Sequence, residues 1–338
     1  METTNKGNHM TKRLLLTGLA AGALLMGSIG ASAQTTLRVA GNFPVEHTAS
    51  GAMEIFKERV EELTGGELVV QNFPAMQLGG ANENVDQVRS GAIFAVFTSI
   101  AYFTREVAEL EAVSLPFLFS DREKAFEVMD GEVGRIMDDK LLETGFVNLG
   151  YMELGFRHTT NNVRPITAVE DFSGLRIRLQ PNEVHLETFR ALGANPQAMD
   201  VSELYSALQQ GVLDGQENPY NIIATRRFNE VQKYLSDTGH FFDFINVVAN
   251  RDAFEGLSPE HQEAVRTAMR EAVEWQRAEA AALDLQFRDQ LSAAGMEFHE
   301  VSPEARAGMR EATLGIAEAL KSRVDPALID MVLAESGS

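Results

Sequence analysis

Three arginines in two similar segments carry the clearest chemical information in this chain. Arg176 and Arg178 alternate with apolar residues in GLRIRL (174–179), and Arg157 lies in GFRHTT (155–160). A guanidinium group presents a planar fork of N–H donors that binds a carboxylate through two hydrogen bonds. Because two converging arginines repel each other until an anion binds, these segments predict a site for a small anion.

The polar residues around these arginines have a functional and a structural interpretation. Asn218 ends a predicted strand, where its amide can donate to a ligand oxygen and accept from a hydroxyl. Asp214 and Glu217 form a candidate acid–base pair, but their position on a turn favours bonds to backbone or arginine groups. The pattern favours Arg176 as a solvated or ion-paired residue, and spacing alone leaves Arg178 open between a ligand clamp and a structural arginine.

Composition and missing motifs exclude several classes of function. The 338 residues carry a formal net charge of −20, which disfavours nucleic acid and anionic membranes as partners because phosphate groups would be repelled. The chain has no cysteine, so disulfides and thiolate metal sites are excluded. It lacks the sequence motifs of dinucleotide, phosphate-loop, zinc-protease and serine-hydrolase sites, and its seven histidines show no metal-ligand spacing. We therefore predict no cofactor, no metal and no catalytic residues.

The N-terminus has the features of an export signal. Lys12 and Arg13 precede an apolar run over 14–29, which is followed by a small-residue cleavage signal that ends at Ala33. This order is typical of a secretory signal peptide rather than of a membrane anchor. We predict that the mature chain begins at Gln34 and, without a cysteine for lipid attachment, is free in a bacterial periplasm.

Hydrophobic periodicity predicts alternating strands and helices. Strands are predicted at 36–39, 67–73, 92–97, 147–160, 175–179 and 241–249, and helices at 49–63, 82–89, 123–142, 184–192, 201–210 and 258–291. The first five elements favour an α/β domain with a largely parallel sheet. At about 1.5 Å per residue, the last helix would be more than about 45 Å long and would brace two domains.

Several motifs together resemble the solute-binding proteins of TRAP transporters, the tripartite ATP-independent periplasmic systems of the DctP type. The motifs are QLGG (77–80), LPFLF (115–119), GFRHTT (155–160), RPI (164–166), GLRIR (174–178), ALGANP (191–196), ELYSALQQG (203–211), DGQENP (214–219) and EVQKY (230–234). They occur in order between residues 37 and 320, which is nearly the whole mature chain.

The resemblance implies two α/β domains that close on a ligand like a clam shell, crossed by one long helix. After the N-terminal extension and signal peptide (1–33), it implies a domain I made of 34–154 plus about 244–283 and a domain II made of 155–243 plus about 284–338. It also implies a periplasmic monomer that captures a small organic acid and delivers it to TRAP membrane permease subunits without catalysis.

The resemblance assigns roles to individual residues. It implies that Arg178 clamps a ligand carboxylate, that Arg157 assists, and that Asn218 hydrogen-bonds the same group. The other positions implied to face or reach the ligand are Asn42, Asn82, Glu83, Ser99, Tyr102 and His240. Asn182 is a further candidate because its amide can bind a ligand hydroxyl, whereas His240, taken alone, is typical of a structural cap. Sialic-acid-binding members have Glu and Arg at the positions of Ser99 and Tyr102, which disfavours sialic acid here.

The ligand and two rival functions stay open at this point. The candidate ligands are a sugar acid such as a uronate or aldonate, a hydroxy acid, a C4-dicarboxylate or a short sulfonate. The amide and hydroxyl groups just named favour a sugar or hydroxy acid. One rival is a periplasmic hydrolase or lyase that acts on a small acid, and the other is a ligand-sensing subunit that docks on a receptor.

Overall fold

A computed structural model of the protein describes residues 34–337, so the predicted extension and signal peptide lie outside the described residues. The strands in this range are β1 (Thr35–Gly41), β2 (Leu68–Phe73), β3 (Ala95–Ser99), β4 (Phe146–Asn161), β5 (Arg176–Leu179), β6 (Asn195–Ala198), β7 (Gly215–Asn218), β8 (Tyr234–Asn250) and β9 (Glu297–Glu300). The α-helices are α1 (Thr48–Leu63), α2 (Ala81–Arg89), α3 (Arg122–Met129), α4 (Glu132–Glu143), α5 (Glu183–Ala191), α6 (Val201–Gln209), α7 (Tyr220–Thr225), α8 (Arg251–Glu255), α9 (Pro259–Ala293), α10 (Pro303–Ala312), α11 (Gly315–Leu320) and α12 (Pro326–Ser336). The predicted mixed α/β class is confirmed.

The strands between residues 34 and 337 form one mixed sheet. Its order is β2-β1-β3-β8-β4-β7-β5-β6, with β9 beside β8. β1 is parallel to both β2 and β3, as the strand–helix alternation predicts, and β5 is parallel to β6 and β7. β8 is antiparallel to β3 and β4, and β4 is antiparallel to β7. The expectation of a largely parallel sheet therefore holds towards the two ends of the sheet and fails at its centre.

Two long strands connect the two halves of the sheet. β4 has 16 residues and β8 has 17, and they pair along most of their length. Their register shifts at three places, and at the middle one, between Glu153 and Gly155, Gly155 adopts a positive φ of 114° that side chains rarely tolerate. This bulge lies at the predicted boundary between domain I and domain II, which places a bend where the chain is expected to pass between them.

Apolar side chains alternate between the two faces of the sheet. On β3, Ala95 and Phe97 join a core cluster that includes residues of α1 and α9, while Val96 joins a second cluster with residues of α2, α4 and α12. Successive residues of a strand point to opposite faces, so a strand covered on both sides reads as continuously apolar. Helices thus cover both faces of the sheet.

The long helix is present and docks on the bend of the sheet. α9 has 35 residues, which corresponds to about 52 Å. The buried amide of Gln276 accepts from the backbone N–H of Glu153 at 2.9 Å and donates to the carbonyl of Glu153 at 2.7 Å. Arg277 donates to the carbonyl of Tyr151. Neither α9 nor any other helix between residues 34 and 337 combines the length and apolar character needed to cross a membrane.

Some elements differ from the sequence-based prediction. The helix predicted over 123–142 is two helices, α3 and α4, which are separated at Gly131, where the backbone is extended. The short strand β6, the short helix α7 and the edge strand β9 are additional elements. Each of these three has four to six residues, which is too few for a periodic pattern to stand out from the sequence.

Glu153 makes stability depend on pH. Burial raises the pKa of its carboxyl group to about 7, and the opposing effect of Arg122 is smaller. A carboxyl whose pKa is higher in the folded state stabilises the fold at low pH and loses that contribution as the pH rises. We expect the wild-type protein to lose up to about 3 kcal/mol of unfolding free energy from this group between about pH 4.5 and 7.

Glu153→Gln should remove this loss. Urea unfolding at pH 5 and pH 8 should show a smaller difference for the variant than for the wild type. Glu274→Gln, which changes an exposed carboxylate on the same α9 helix that contacts Glu153, serves as the control and should retain the wild-type difference. An unchanged pH dependence in Glu153→Gln would show that this carboxyl does not titrate as described.

Candidate functional site

A small cavity of about 20 Å³, lined mostly by buried residues, lies where several strands end. It has room for about one or two water molecules. The polar residues that line it are Asn42, Thr98, Ser99, Tyr102, Arg178, Gln180, Asn218 and Arg226. Five of them (Asn42, Ser99, Tyr102, Arg178 and Asn218) were predicted as site residues from the sequence.

Chain topology explains why these residues meet. Asn42 follows β1, Ser99 is the last residue of β3, Gln180 follows β5, and Asn218 is the last residue of β7. β1 and β3 run in the same direction, as do β5 and β7, so the carboxyl ends within each pair lie together. The carboxyl ends of strands are the usual ligand-binding edge of open α/β sheets.

Arg178 is fully buried and has no acidic partner. Its Nε donates to the carbonyl of Met199 at 2.8 Å and its Nη2 donates to the hydroxyl of Tyr102 at 3.0 Å. No ion pair to it is present within residues 34–337. A buried charge without a counter-charge lowers the stability of the fold. An anion bound next to the Arg178 guanidinium would offset this cost.

Arg176 and Arg178 differ although they project from the same face of β5. They lie two residues apart, about 7 Å along the strand. Arg176 is at the end away from the cavity, and its partly exposed guanidinium forms an ion pair with Asp214 at 2.6 Å. This confirms the interpretation of Arg176 as an ion-paired strand residue, and it shows that Asp214 bonds to an arginine as expected.

Tyr102 joins two parts of the cavity wall. It lies in a 3₁₀ turn (Ile100–Phe103) directly after β3, and its hydroxyl accepts from Arg178 and, at 3.3 Å, from the backbone N–H of Val201. Burial raises the pKa of Tyr102, so the hydroxyl keeps its proton at neutral pH. It can therefore donate that proton to an anionic oxygen in the cavity.

Several buried polar atoms around the cavity lack a hydrogen-bond partner. They are Nδ2 and Oδ1 of Asn42, Oγ1 of Thr98, Oε1 of Gln180 and Nε of Arg226. Most buried polar groups in folded proteins are bonded, and each one left unpaired costs about 1–3 kcal/mol. Five such atoms at one cavity indicate a surface that is completed by a polar molecule.

Arg226 was not found from the sequence. It is the residue that follows α7, and its Nη2 donates to the carbonyl of Asn42. Burial lowers the pKa of its guanidinium to about 10, and Arg178 contributes to this lowering. The available signal was an arginine pair, Arg226 and Arg227, directly after an otherwise largely apolar segment. The sequence does not show that Arg226 is the partly buried one and Arg227 the exposed one.

Arg157 lies in a separate buried cluster rather than on the cavity wall. Its Nε and Nη2 donate to the carboxylate of Glu217 at 2.5 and 2.8 Å, and its Nη1 donates to Asp243 at 2.9 Å. Its Nη2 also donates to Oδ1 of Asn218 at 3.0 Å. All three guanidinium nitrogens are thus bonded within the protein, and Arg157 is placed to orient Asn218, whereas its direct assistance to a ligand stays a prediction.

The pKa shifts in this cluster describe a stable ion network. Burial alone would raise the pKa of Glu217, but Arg157 and His240 hold it well below its usual range. Burial lowers the pKa of His240 and raises that of Asp243, and in both cases a charged neighbour opposes the effect only in part. Glu217 is therefore ionised and His240 neutral at pH 7, so Glu217 holds Arg157 in an ion pair and also bonds His240.

Four further residues predicted for the site lie outside the cavity lining. Asn82 is partly buried and bonds Asp200, while Glu83 is exposed on α2. Asn182 caps α5 by accepting from the N–H of His185, and its Nδ2 donates to Ser114. His240 is buried against Glu217 and Thr238. Their contacts with a ligand stay predictions.

Wider depressions on the surface have a different character. One of about 360 Å³ is lined by His158, Asp237 and Arg288, among others. Its charged groups have partners within the protein: His158 pairs with Asp237 at 2.8 Å, Arg288 with Asp289 at 2.9 Å and Asp284 with Arg122 at 3.3 Å. The cavity at the strand ends, which has unpaired buried polar atoms on its wall, is therefore the better candidate site, although it is smaller.

Comparison with known proteins agrees with this architecture. Residues 39–322 match the family described as DctP, bacterial extracellular solute-binding protein, family 7. A crystal structure of a TRAP periplasmic solute-binding protein from Sulfurospirillum deleyianum, with bound succinate, is 34% identical, with a TM-score of 0.86 over 89% of this chain and 99% of that one. The 2,3-diketo-L-gulonate-binding periplasmic protein YiaO of Escherichia coli K12 is 33% identical over 86% of this chain and 88% of its own. The C4-dicarboxylate-binding periplasmic protein DctP of Rhodobacter capsulatus is 32% identical over 82% and 84%.

The fold and the polar cavity define an α/β protein built to enclose a small polar molecule. The chain belongs to the DctP family of bacterial extracellular solute-binding proteins, the binding proteins of TRAP transporters. The resemblance seen in the sequence motifs is thereby confirmed.

The two buried arginines should differ sharply in their effect on stability. Arg157→Met leaves the carboxylates of Glu217 and Asp243 buried without their partner, and we expect it to lower the free energy of unfolding by about 3–5 kcal/mol. Arg178→Met removes an unpaired buried charge, and we expect a change within about 1 kcal/mol. Urea unfolding without ligand measures both values.

If Arg157→Met does not fold, Glu217→Gln gives the same comparison, because it removes the same ion pair from the carboxylate side. Equal losses from the Arg157 and Arg178 variants would show that the two arginines do not have separate structural and binding roles.

Proposed function

We propose that the protein captures a small organic acid anion in the strand-end cavity and delivers it to TRAP membrane permease subunits. Arg178 binds one carboxylate of the ligand, and Asn218 and Tyr102 hydrogen-bond the same group. The unpaired amide of Asn42 and the hydroxyl of Thr98 bind the remainder of the molecule. The observation that carries this proposal is the buried Arg178, which lacks an acidic partner beside five unpaired polar atoms.

The relatives support an acid as the ligand class. The two named relatives are described as binding 2,3-diketo-L-gulonate and C4-dicarboxylates, and the related crystal structure contains succinate. All three are small organic acids that carry at least one carboxylate. Arg178 offers a guanidinium to such a group without competition from a protein carboxylate.

Binding requires the cavity to open. A volume of about 20 Å³ does not admit a four-carbon acid, and most drug-sized ligand pockets exceed about 300 Å³. We propose that domain I and domain II separate about the bend near Gly155 and close again on the ligand. The contact between Tyr102 and Arg178 joins the two proposed domains, so both residues would meet the ligand only when the domains close.

Asp200 supplies a second contact across the proposed cleft. Its carboxylate caps its own helix α6 at Ser202, and its Oδ2 also accepts from the N–H and the Nδ2 of Asn82, at 3.1 and 3.2 Å, at the start of α2. Gly80, the residue before α2, has no side chain, and an added Cβ would lie 3.1 Å from Asp200. One carboxylate thus links two helix N-termini and favours the closed form.

The geometry gives no support to hydrolase or lyase activity. The acidic and basic residues proposed for such a reaction, Asp214, Glu217 and His240, bond to arginine or to each other. We therefore propose that the protein binds its ligand without changing it, and that it acts in the periplasm after the signal peptide is removed near Ala33.

Arg178→Ala tests the proposed carboxylate contact. Loss of one partner of a buried charged hydrogen bond costs about 2–5 kcal/mol, so the dissociation constant should rise by about 30-fold or more. Arg176→Ala is the control, because Arg176 lies on the same strand but pairs with Asp214, and its binding should stay close to that of the wild type. Titration calorimetry with the best ligand from an organic acid panel gives both constants. Wild-type affinity in Arg178→Ala would contradict the proposed contact.

An Asp200 variant tests the proposed closure. Asp200→Ser keeps a cap for α6 but is too short to reach Asn82. Glu203→Gln, the control, removes one negative charge from an exposed position on the same helix and leaves the Asp200 contacts in place. We expect Asp200→Ser to bind about 5- to 10-fold more weakly than Glu203→Gln, chiefly through faster dissociation, because one or two bonds of about 1 kcal/mol are lost. Stopped-flow measurement of ligand release decides this, and equal rates in the two variants would rule out Asp200 as a closing contact.

A further inference from the structure

Arg226 places a second cation without an acidic partner on the same cavity wall. Its Nε is buried and unpaired, and its Nη2 donates to the carbonyl of Asn42. No ion pair to it is present in the part of the chain that the structure describes. Its neighbour Arg227 has the ordinary environment of a surface arginine, with a side chain that is 74% exposed and paired with Glu230.

The cavity wall itself carries two positive charges and no carboxylate. Arg178 and Arg226 are its two charged lining residues, and the other polar groups on it are amides and hydroxyls. Because the cavity is only about 20 Å³ in volume, a molecule bound to one arginine lies within a few ångströms of the other. The positive charge of Arg178 contributes to the lowered pKa of Arg226, and an anion between the two guanidinium groups would remove this repulsion.

The carboxylates close to the cavity are engaged elsewhere. Asp243 bonds Ser99 at 2.9 Å and Arg157 at 2.9 Å, and Asp200 bonds Asn82. Asp200 influences Arg226 electrostatically, but it does not form an ion pair with it. The two arginines on the wall therefore depend on a ligand for close counter-charges.

We propose that Arg226 makes this site selective for a short dicarboxylate, which presents one carboxylate to Arg178 and the second to Arg226. This inference rests on the proposed function, and it narrows the ligand to a class of acid. A monocarboxylate, including a sugar acid, would leave the guanidinium of Arg226 in the closed cavity without a counter-charge. The sequence-based preference for sugar or hydroxy acids was made without Arg226 and counted only hydroxyl-binding groups.

Matched four-carbon acids test the selectivity of the wild-type protein. Succinate and malate carry two carboxylates, whereas 4-hydroxybutyrate and erythronate carry one. We expect the two dicarboxylates to bind at least about 30-fold more tightly in titration calorimetry at pH 7.5, because each charged contact is worth about 2 kcal/mol or more. Equal or tighter binding of either monocarboxylate would overturn the inference.

Two variants connect the selectivity to Arg226. Arg226→Met should weaken the binding of succinate by about 30-fold or more and leave the binding of 4-hydroxybutyrate unchanged or stronger. Arg227→Met, at the adjacent exposed position, should retain the wild-type preference. A dicarboxylate preference that survives in Arg226→Met would assign the selectivity to another group and overturn the role of Arg226.

The outcomes also separate this inference from the proposed function. If monocarboxylates bind tightly and Arg178→Ala abolishes their binding, the organic acid site stands and only the selectivity is wrong. If none of the four acids binds to the wild-type protein and an organic acid panel gives no ligand, the proposed function itself fails.

Discussion

The central constraint on this structure is a buried positive charge that the protein does not neutralise. Arg178 is inaccessible to solvent and is held by the carbonyl of Met199 and the hydroxyl of Tyr102, both of which are neutral. The cost of such a charge is tolerable when a ligand completes the ion pair in the functional state. Under the proposed function, the polar cavity at the strand ends is where an anion reaches this guanidinium.

Arg157 differs from Arg178 in how its buried charge is balanced. Both arginines are fully buried, but Arg157 bonds two carboxylates and a side-chain amide, which fixes it in the protein. Arg157 also bonds the side chain of Asn218, so this ion cluster orients a residue of the cavity wall without lining the cavity itself.

Long strands and a helix of 35 residues join the two halves of the sheet, and Gln276 bonds that helix to the backbone at Glu153. The closure proposed for ligand binding would be a hinge motion of the two halves of the sheet about this region.

Local signals in the sequence predicted much of the fold. Helix α6 begins directly after the capping residue Asp200, and α9 begins after Ser258, because an N-cap and the periodicity that follows it are properties of a short segment. The break at Gly131 was missed because a glycine inside a periodic pattern does not by itself end a helix.

The candidate site was predicted in part: the resemblance indicated Arg178 and Asn218, but Arg226 gains its importance from a contact with Asn42, 184 residues away. Arg157 and Arg178 look alike in sequence, and only the positions of Glu217 and Asp243 distinguish them.

The most direct test of the central claim is the thermal stability of the mature protein in the presence of organic acids and of their neutral amides. A ligand at 100 times its dissociation constant adds about 2.7 kcal/mol of stability, which is a readily measured rise in melting temperature. If the uncompensated charge of Arg178 is the binding determinant, at least one acid will raise the melting temperature and its amide will not. A rise caused only by neutral sugars or by cations would contradict the account.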